Sequence, residues 1–294
     1  MKELLMRTFL FVPGHIDRMI EKSIDVEADC IAFCLEDAVP FSKKEEARQK
    51  VKKILESESL ENKNVFVRIN SMDTGLTLLD VNAVVSNRLD GFVYPMANSA
   101  DDIKNFSAQL NLIESQNGFE IGKFSIVVLI ETPQAVINAY EIAKSSDRVV
   151  ALLFGCEDYM ASMESRYSDN EMSLFVPRTN MAIAARAAGV ESIDTPYVNM
   201  NDYDGLKRFA NVGRDLGMSG MLVMSPNQLE IIKECYTPSE EEIRVASEIV
   251  NGEKLALSEG RGIVVINGNF VSPPTIKQAK KLLRRAKLIK GKDL

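Results

Sequence analysis

An α/β barrel of the TIM type, (β/α)8, with a C-terminal extension of helices and a hairpin, is the fold expected of this chain. Short apolar runs alternate with helix-periodic segments eight times before residue 236, which is the element count of such a barrel. The length of 294 residues suits one barrel as well as two average domains. The stretch 124–158, FSIVVLIETPQAVINAYEIAKSSDRVVALLFGCEDY, reads as strand, helix, strand, so its two strands run parallel and their carboxyl ends open on one face. An open doubly wound sheet is the competing architecture, because pattern alone does not show closure.

In order, TFLFVP at 8–13 is the first strand, ended by Gly14, and 17–28 is a helix with Met19, Ile20 and Ile24 as its apolar positions. Strands at 30–35, 65–69 and 91–94 alternate with helices at 43–56, 76–87 and one running through Leu112. The 124–158 unit supplies strands five and six, ending at Glu131 and Gly155. The alanine-rich 176–188, stopped by Gly189, is a helix, 192–194 a short seventh strand, 203–216 a helix and 220–224 the eighth strand. Residues 228–235 complete the last barrel helix. Beyond them come a helix at 238–250, a hairpin at 260–271 turning on Asn267-Gly268, and a helix at 275–289 that ends in a basic cluster. The expected division is a barrel domain at 1–235 and an extension at 236–294. So small a tail cannot fold alone, so it is expected to pack on its own barrel or a neighbour's, which predicts a homo-oligomer.

Composition narrows the function. The apolar fraction of 46% and charged fraction of 26% are those of a soluble globular protein. A net charge of −7 and pI near 5.1 argue against nucleic acid and against an anionic membrane, while leaving room for a local anion site. Cys30, Cys34, Cys156 and Cys235 form no CxxC and read as reduced core thiols. Arg7 interrupts the short apolar opening, so no signal peptide is read and a cytoplasmic location is expected.

In a TIM barrel the chemistry sits where strands end. Those positions are Pro13, His15, Glu36, Asp37, Arg68, Asn70, Tyr94, Glu131, Glu157, Asp158, Asp194 and Ser225. Glu131 and Asp158 fall side by side at the ends of strands five and six; two carboxylates there suit Mg2+, which takes oxygen ligands. The competing reading is that each caps the following helix. Arg68 closes an apolar strand, where a guanidinium needs an anionic partner, and is read as an oxyanion holder. A salt bridge to Glu36 or Asp37 competes with that role and is compatible with it. Only one of Glu36 and Asp37 need face the site, since strand side chains alternate. No lysine ends a strand, which disfavours a Schiff-base aldolase. The single histidine, His15, cannot build a zinc site or a triad by itself. Metal and arginine together suit carbon–carbon cleavage beside a carbonyl, whose enolate needs fixed positive charge.

The motifs TFLFVPG, CLEDAV, VRIN, IETP, FGCEDY and AGVESIDTPY occur in the order seen in the citrate lyase beta-subunit family, which includes malyl-CoA and citramalyl-CoA lyases, and the chain resembles that family over nearly its whole length. The resemblance implies a TIM barrel with Mg2+ on Glu131 and Asp158 and Arg68 at the substrate carbonyl. It implies Phe11, Arg18 and Lys22 near the substrate or its coenzyme A portion, and trimers or hexamers formed through the C-terminal segment. The chain departs from the family pattern at Met96, Ser225 and Ser272, where lysine, histidine and aspartate are usual. The expected function is therefore Mg2+-dependent cleavage of a 3-hydroxy acid or 3-hydroxyacyl-CoA to a 2-oxo acid and an acyl product, with Arg68, Glu36 and Asp37 as the catalytic candidates. The alternative is a family member that has lost catalysis and serves as a binding or assembly subunit.

Overall fold

In the computed structural model, residues 4–60, 63–167, 171–260, 264–266 and 269–292 are described. Eight strands, β1 (Thr8–Pro13), β2 (Cys30–Cys34), β3 (Asn64–Arg68), β4 (Gly91–Tyr94), β5 (Ser125–Ile130), β6 (Val149–Phe154), β7 (Glu191–Asp194) and β8 (Gly220–Val223), pair in sequence order. All eight pairings are parallel, and β8 returns to β1 through Phe9↔Leu222 and Leu10↔Val223, closing the barrel. The strands are nearly continuous apolar runs because helices cover one face and the barrel interior the other.

The covering helices are α1 (Asp17–Asp25), α2 (Lys44–Leu55), α3 (Thr77–Val84), α4 (Ala100–Gln116), α5 (Pro133–Ile137), α6 (Ala139–Lys144), α7 (Cys156–Ser162), α8 (Met172–Ala188), α9 (Tyr203–Asp215) and α10 (Leu229–Tyr236). Apart from end shifts of one to three residues, as in α1, α2 and α3, three differ from the sequence reading. The helix between strands five and six is broken in two at Asn138, whose side-chain amide donates to Asn98 O at 2.8 Å. A short extra helix, α7, follows β6 directly. The next helix starts at Met172 rather than 176, because Pro177 falls early enough to remove only one intrahelical bond.

Inside the barrel, Phe9, Cys30, Ala32, Phe66, Val93, Val127, Leu129, Ala151, Leu153, Ile193 and Leu222 pack as one apolar column. Buried ion pairs brace its outside. Arg7 Nε meets Asp29 Oδ2 at 2.9 Å, and Arg148 Nη2 meets Glu114 Oε2 at 2.5 Å, tying α4 to the entry of β6.

The chain divides into two compact units, Met1–Lys233 and Glu234–Leu294. The second holds α11 (Glu240–Ser258), β9 (Val264–Ile266), β10 (Asn269–Val271) and α12 (Pro273–Lys292). A capping box starts α11: Ser239 Oγ accepts from Glu242 N at 3.2 Å, and Glu242 Oε2 accepts from Ser239 N at 2.7 Å. The two short strands pair antiparallel; the turn expected at Asn267-Gly268 lies outside the described residues. No helix among the described residues is long and apolar enough to cross a membrane.

Candidate active site

Side chains alternate along a strand, so the interior column continues upward in steps of two. From Phe66 the next inward residue is Arg68; from Leu129 it is Glu131; from Leu153 it is Gly155; from Ala32 it is Cys34 and then Glu36. The same stride sends the neighbouring residues outward. Tyr94 packs on Phe106, with ring centroids 4.9 Å apart. Asp194 turns under α8, where Arg178 Nε donates to its Oδ1 at 3.0 Å and Arg178 Nη2 to its Oδ2 at 2.5 Å. Asp194 is thus a strand-end carboxylate committed to a buried ion pair.

Glu131 is buried, and Gly155 makes its position possible. A Cβ on Gly155 would lie 2.7 Å from Glu131 Cβ and 2.9 Å from its Oε2, so only glycine leaves room there. Glu131 Oε1 accepts from the backbone N–H of Met96 at 2.6 Å. Met96 adopts a left-handed conformation, φ 53°, which is uncommon for a residue with a side chain and is typical of functional sites. Burial pushes the Glu131 carboxyl up to about 7, against the Met96 N–H and the Arg68 charge, with Glu36 and Asp158 adding to the rise. Asp158 stands in the first turn of α7 and is exposed. Partial burial and then Asp37 hold its carboxyl above the usual range, and Arg68 opposes them.

Arg68 is held on three sides. Its Nη2 lies 2.8 Å from Glu36 Oε2 and 3.4 Å from Asp37 Oδ2, its Nε donates to Cys34 Sγ at 3.2 Å, and its guanidinium carbon sits 4.9 Å over the Phe11 ring. Both Glu36 and Asp37 therefore reach the site, where the sequence required only one. Burial disfavours charge on Arg68, yet Cys34, Glu36 and Asp37 hold it above the usual arginine value. The Glu36 contact is an ion pair without hydrogen-bond geometry, which leaves the buried Oε2 with no hydrogen-bond partner. Burial pushes Glu36 up to about 7 in spite of Arg68.

Arg18 and Lys22 are exposed, one turn apart on α1, the helix that follows β1; no contact joins them to Arg68. Asn70 is not beside Arg68 in role: its amide donates to Leu35 O at 2.9 Å and Asp80 Oδ2 at 2.6 Å, behind the strand ends. The His15 imidazole is half-buried, and its backbone carbonyl accepts from Lys50 Nζ at 3.0 Å. Ser225 and Ser272 cap the turns that follow them: Ser225 Oγ accepts from Asn227 N at 3.5 Å and Ser272 Oγ from Thr275 N at 3.4 Å.

The roles of four residues escaped the sequence reading, which named Gly155 as a strand end, Met96 as a departure from the family pattern and Cys34 as a core thiol. Gly155, Met96 and Cys34 act through stride and backbone geometry, which a motif does not display. Lys44 does not end a strand, yet its Nζ reaches the ends of β2 and β3, donating to Leu35 O at 2.7 Å, Glu36 O at 3.0 Å and Asn70 Oδ1 at 2.6 Å. Three acceptors use all three ammonium protons, so the amine is saturated.

The donor set fits a hard divalent cation. Glu131 Oε2 and both oxygens of Asp158 accept no hydrogen bond from any described residue, and burial, with neighbouring acids adding to it, already pushes both carboxyls upward. No group of three or more His, Cys, Asp or Glu in metal-holding geometry occurs among the described residues. Mg2+ is commonly held by one or two carboxylates, with water and substrate completing its octahedron.

The citrate lyase subunit beta of Haemophilus influenzae is 33% identical over 283 residues, covering 96% of this chain and 97% of that protein. The (3S)-malyl-CoA thioesterase of Cereibacter sphaeroides is 32% identical over 283 residues, covering 96% and 95%. The CitE protein of Mycobacterium tuberculosis, solved in complex with magnesium, acetoacetate and coenzyme A, superposes with a TM-score of 0.74 at 25% identity, covering 96% of this chain and 98% of that one. Residues 7–226 match the model of one family, and with these relatives they establish that the chain belongs to the HpcH/HpaI aldolase/citrate lyase family.

Proposed function

We propose that this protein is a Mg2+-dependent carbon–carbon lyase of the citrate lyase beta-subunit type, cleaving a 3-hydroxy acid or 3-hydroxyacyl-CoA to a 2-oxo acid and an acyl product. The observation that carries the reading is the pair of carboxylates with free oxygens, Glu131 and Asp158, both under the field of one buried cation, Arg68. Mg2+ held by Glu131 and Asp158 would supply a Lewis acid to the substrate oxygens; relatives support this, since the CitE complex contains magnesium.

The remaining work falls to the chain's own groups. Loss of the hydroxyl proton lets the carbon–carbon bond break; the electron pair moves into the acyl carbonyl as an enolate, and the hydroxyl carbon becomes the keto carbon. A proton then returns to the enolate carbon. Arg68 presents fixed positive charge to the substrate oxygens, held in place by Glu36 and Asp37. Glu36, near 7, is matched to taking and returning a proton at neutral pH. Phe11 covers one face of the guanidinium, and Arg18 and Lys22 form a cationic edge suited to the coenzyme A portion. A Ser272 hydroxyl engaged in capping α12 is a poor base, which favours a lyase without thioesterase activity. We place catalysis in residues 1–235, with 236–294 closing a neighbour's site in a cytoplasmic trimer or hexamer.

The test is to incubate the protein and Mg2+ with malyl-CoA, citramalyl-CoA and citrate, and to assay glyoxylate, pyruvate and oxaloacetate. At least one substrate is expected to be cleaved. Glu131→Gln and Asp158→Asn should abolish turnover and the Mg2+-dependent rise in Tm while leaving the fold intact. Native turnover by both variants overturns the metal assignment, and failure of the wild type on every substrate favours the non-catalytic alternative.

A further inference from the structure

We propose that Cys34 is a positioning residue, its buried sulfur selecting which edge of the Arg68 guanidinium is offered to the substrate. The kinetic arm below rests on the lyase reading; the spectroscopic arm does not.

Cys34 ends β2 directly opposite Arg68 of β3 in the strand register and is fully buried. Its sulfur accepts two N–H groups, Arg68 Nε at 3.2 Å and the backbone N–H of Glu36 at 3.3 Å. A free cysteine usually packs as a small apolar side chain; here the same atom joins the site's cation to the backbone of its counter-ion. Cys30, also inward on β2, instead makes a long contact with Leu5 O at 3.6 Å.

The guanidinium has five N–H donors in a rigid fork. Cys34 takes Nε, Glu36 and Asp37 lie against Nη2, and Phe11 covers a face. Nη1 donates no hydrogen bond to any described residue. It is the edge left for a ligand. Without an acceptor at residue 34, Nε–H would be stranded in a buried position, and the fork would rotate to find one, moving the free edge away. Because the same sulfur holds the Glu36 N–H, the turn that carries both acids would loosen with it.

The experiment compares wild type with Cys34→Ser, which keeps an acceptor, and Cys34→Val, which fills the space without one. Cys34→Ala backs up the valine variant should it fail to fold. In protein labelled with 15N-arginine, the Arg68 Nε–H resonance is assigned by its loss in Arg68→Lys. Slow solvent exchange of that proton is expected in wild type and Cys34→Ser, and fast exchange in Cys34→Val. With the substrate cleaved by wild type, Cys34→Val should raise KM roughly 10-fold or more, the scale of one hydrogen bond to a charged group, and Cys34→Ser should restore most of the loss. Unchanged Nε–H exchange in Cys34→Val and Cys34→Ala overturns the proposal. So does a Cys34→Ser enzyme as impaired as Cys34→Val with Nε–H still protected, since the sulfur would then act chemically. If wild type cleaves nothing, the lyase reading fails while the exchange measurement still decides the role of Cys34.

Discussion

Gly155 shows how a residue with no functional group governs a site. Its missing Cβ is the space that Glu131 occupies, with 2.7 Å to Glu131 Cβ and 2.9 Å to Oε2. Gly155→Ala should displace the carboxylate by several tenths of an ångström or more, and displacements near 1 Å cost about 100-fold in rate. Turnover is expected to fall by that order and the Mg2+-induced Tm rise to shrink, with little change in far-UV circular dichroism; unaltered Mg2+ stabilisation would show that Glu131 does not hold the ion. Lys44 supports a second expectation. Its ammonium is saturated by three acceptors, and burial pulls it below the usual lysine value, although Cys34, Glu36 and Asp80 oppose the shift. Borohydride with pyruvate should leave every lysine unmodified by mass spectrometry, and an adduct on Lys44 would replace the enolate route with a Schiff base. Glu36, Arg68, Glu131 and Asp158 were legible because ionisable residues closing apolar runs stand out. Gly155 and Cys34 were not, because their effect depends on which residue the closed sheet sets opposite them.

At the scale of elements, the strands were legible and the helices less so. The 91–94 strand matched residue for residue, and 8–13 likewise, because apolar runs bounded by turns have one reading. Helix breaks at Asn138 and the extra α7 escaped because short helices lack a full amphipathic repeat. Asp194 taught the opposite lesson. A carboxylate at a strand end looks catalytic, yet the odd position after inward-facing Ile193 delivers it to Arg178, which also stacks on Phe209 at 3.8 Å and donates to Phe209 O at 2.9 Å. This pair joins α8, β7 and α9. Arg178→Ala leaves a wholly buried carboxylate without its cation, which typically costs about 3 to 5 kcal/mol. Urea denaturation should show that loss as a lower midpoint, and a shift under 1 kcal/mol would mean that the pair contributes little to holding these elements.

For the whole molecule, closure is what turns scattered strand ends into one site, and only the count of eight hinted at it. The β8 to β1 pairing joins residues more than two hundred positions apart, a contact no local pattern encodes. Closure also gathers buried acids into one mouth, and this sets a pH dependence for the metal-free protein. Glu131 and Glu36 each stand at about 7 against 4.5 in the unfolded chain. Between those values the native state binds more protons than the unfolded state, so stability falls as pH rises through the window. One carboxylate shifted this far contributes about 1.4 kcal/mol per pH unit there. Carboxylates held low, such as Glu46 at about 2 beside Lys43 and Lys50, change their contribution only below pH 4.5. Without Mg2+, Tm should therefore decline from pH 5 to pH 7.5, and saturating Mg2+ should remove the Glu131 share of the decline, because the cation replaces that proton, while the Glu36 share remains. A Glu131→Gln variant should lose part of the decline even without metal, since its amide does not titrate. A metal-free Tm that rises over this interval would mean that the two acids are ionised and balanced within the fold, and that burial at the barrel mouth does not hold them protonated.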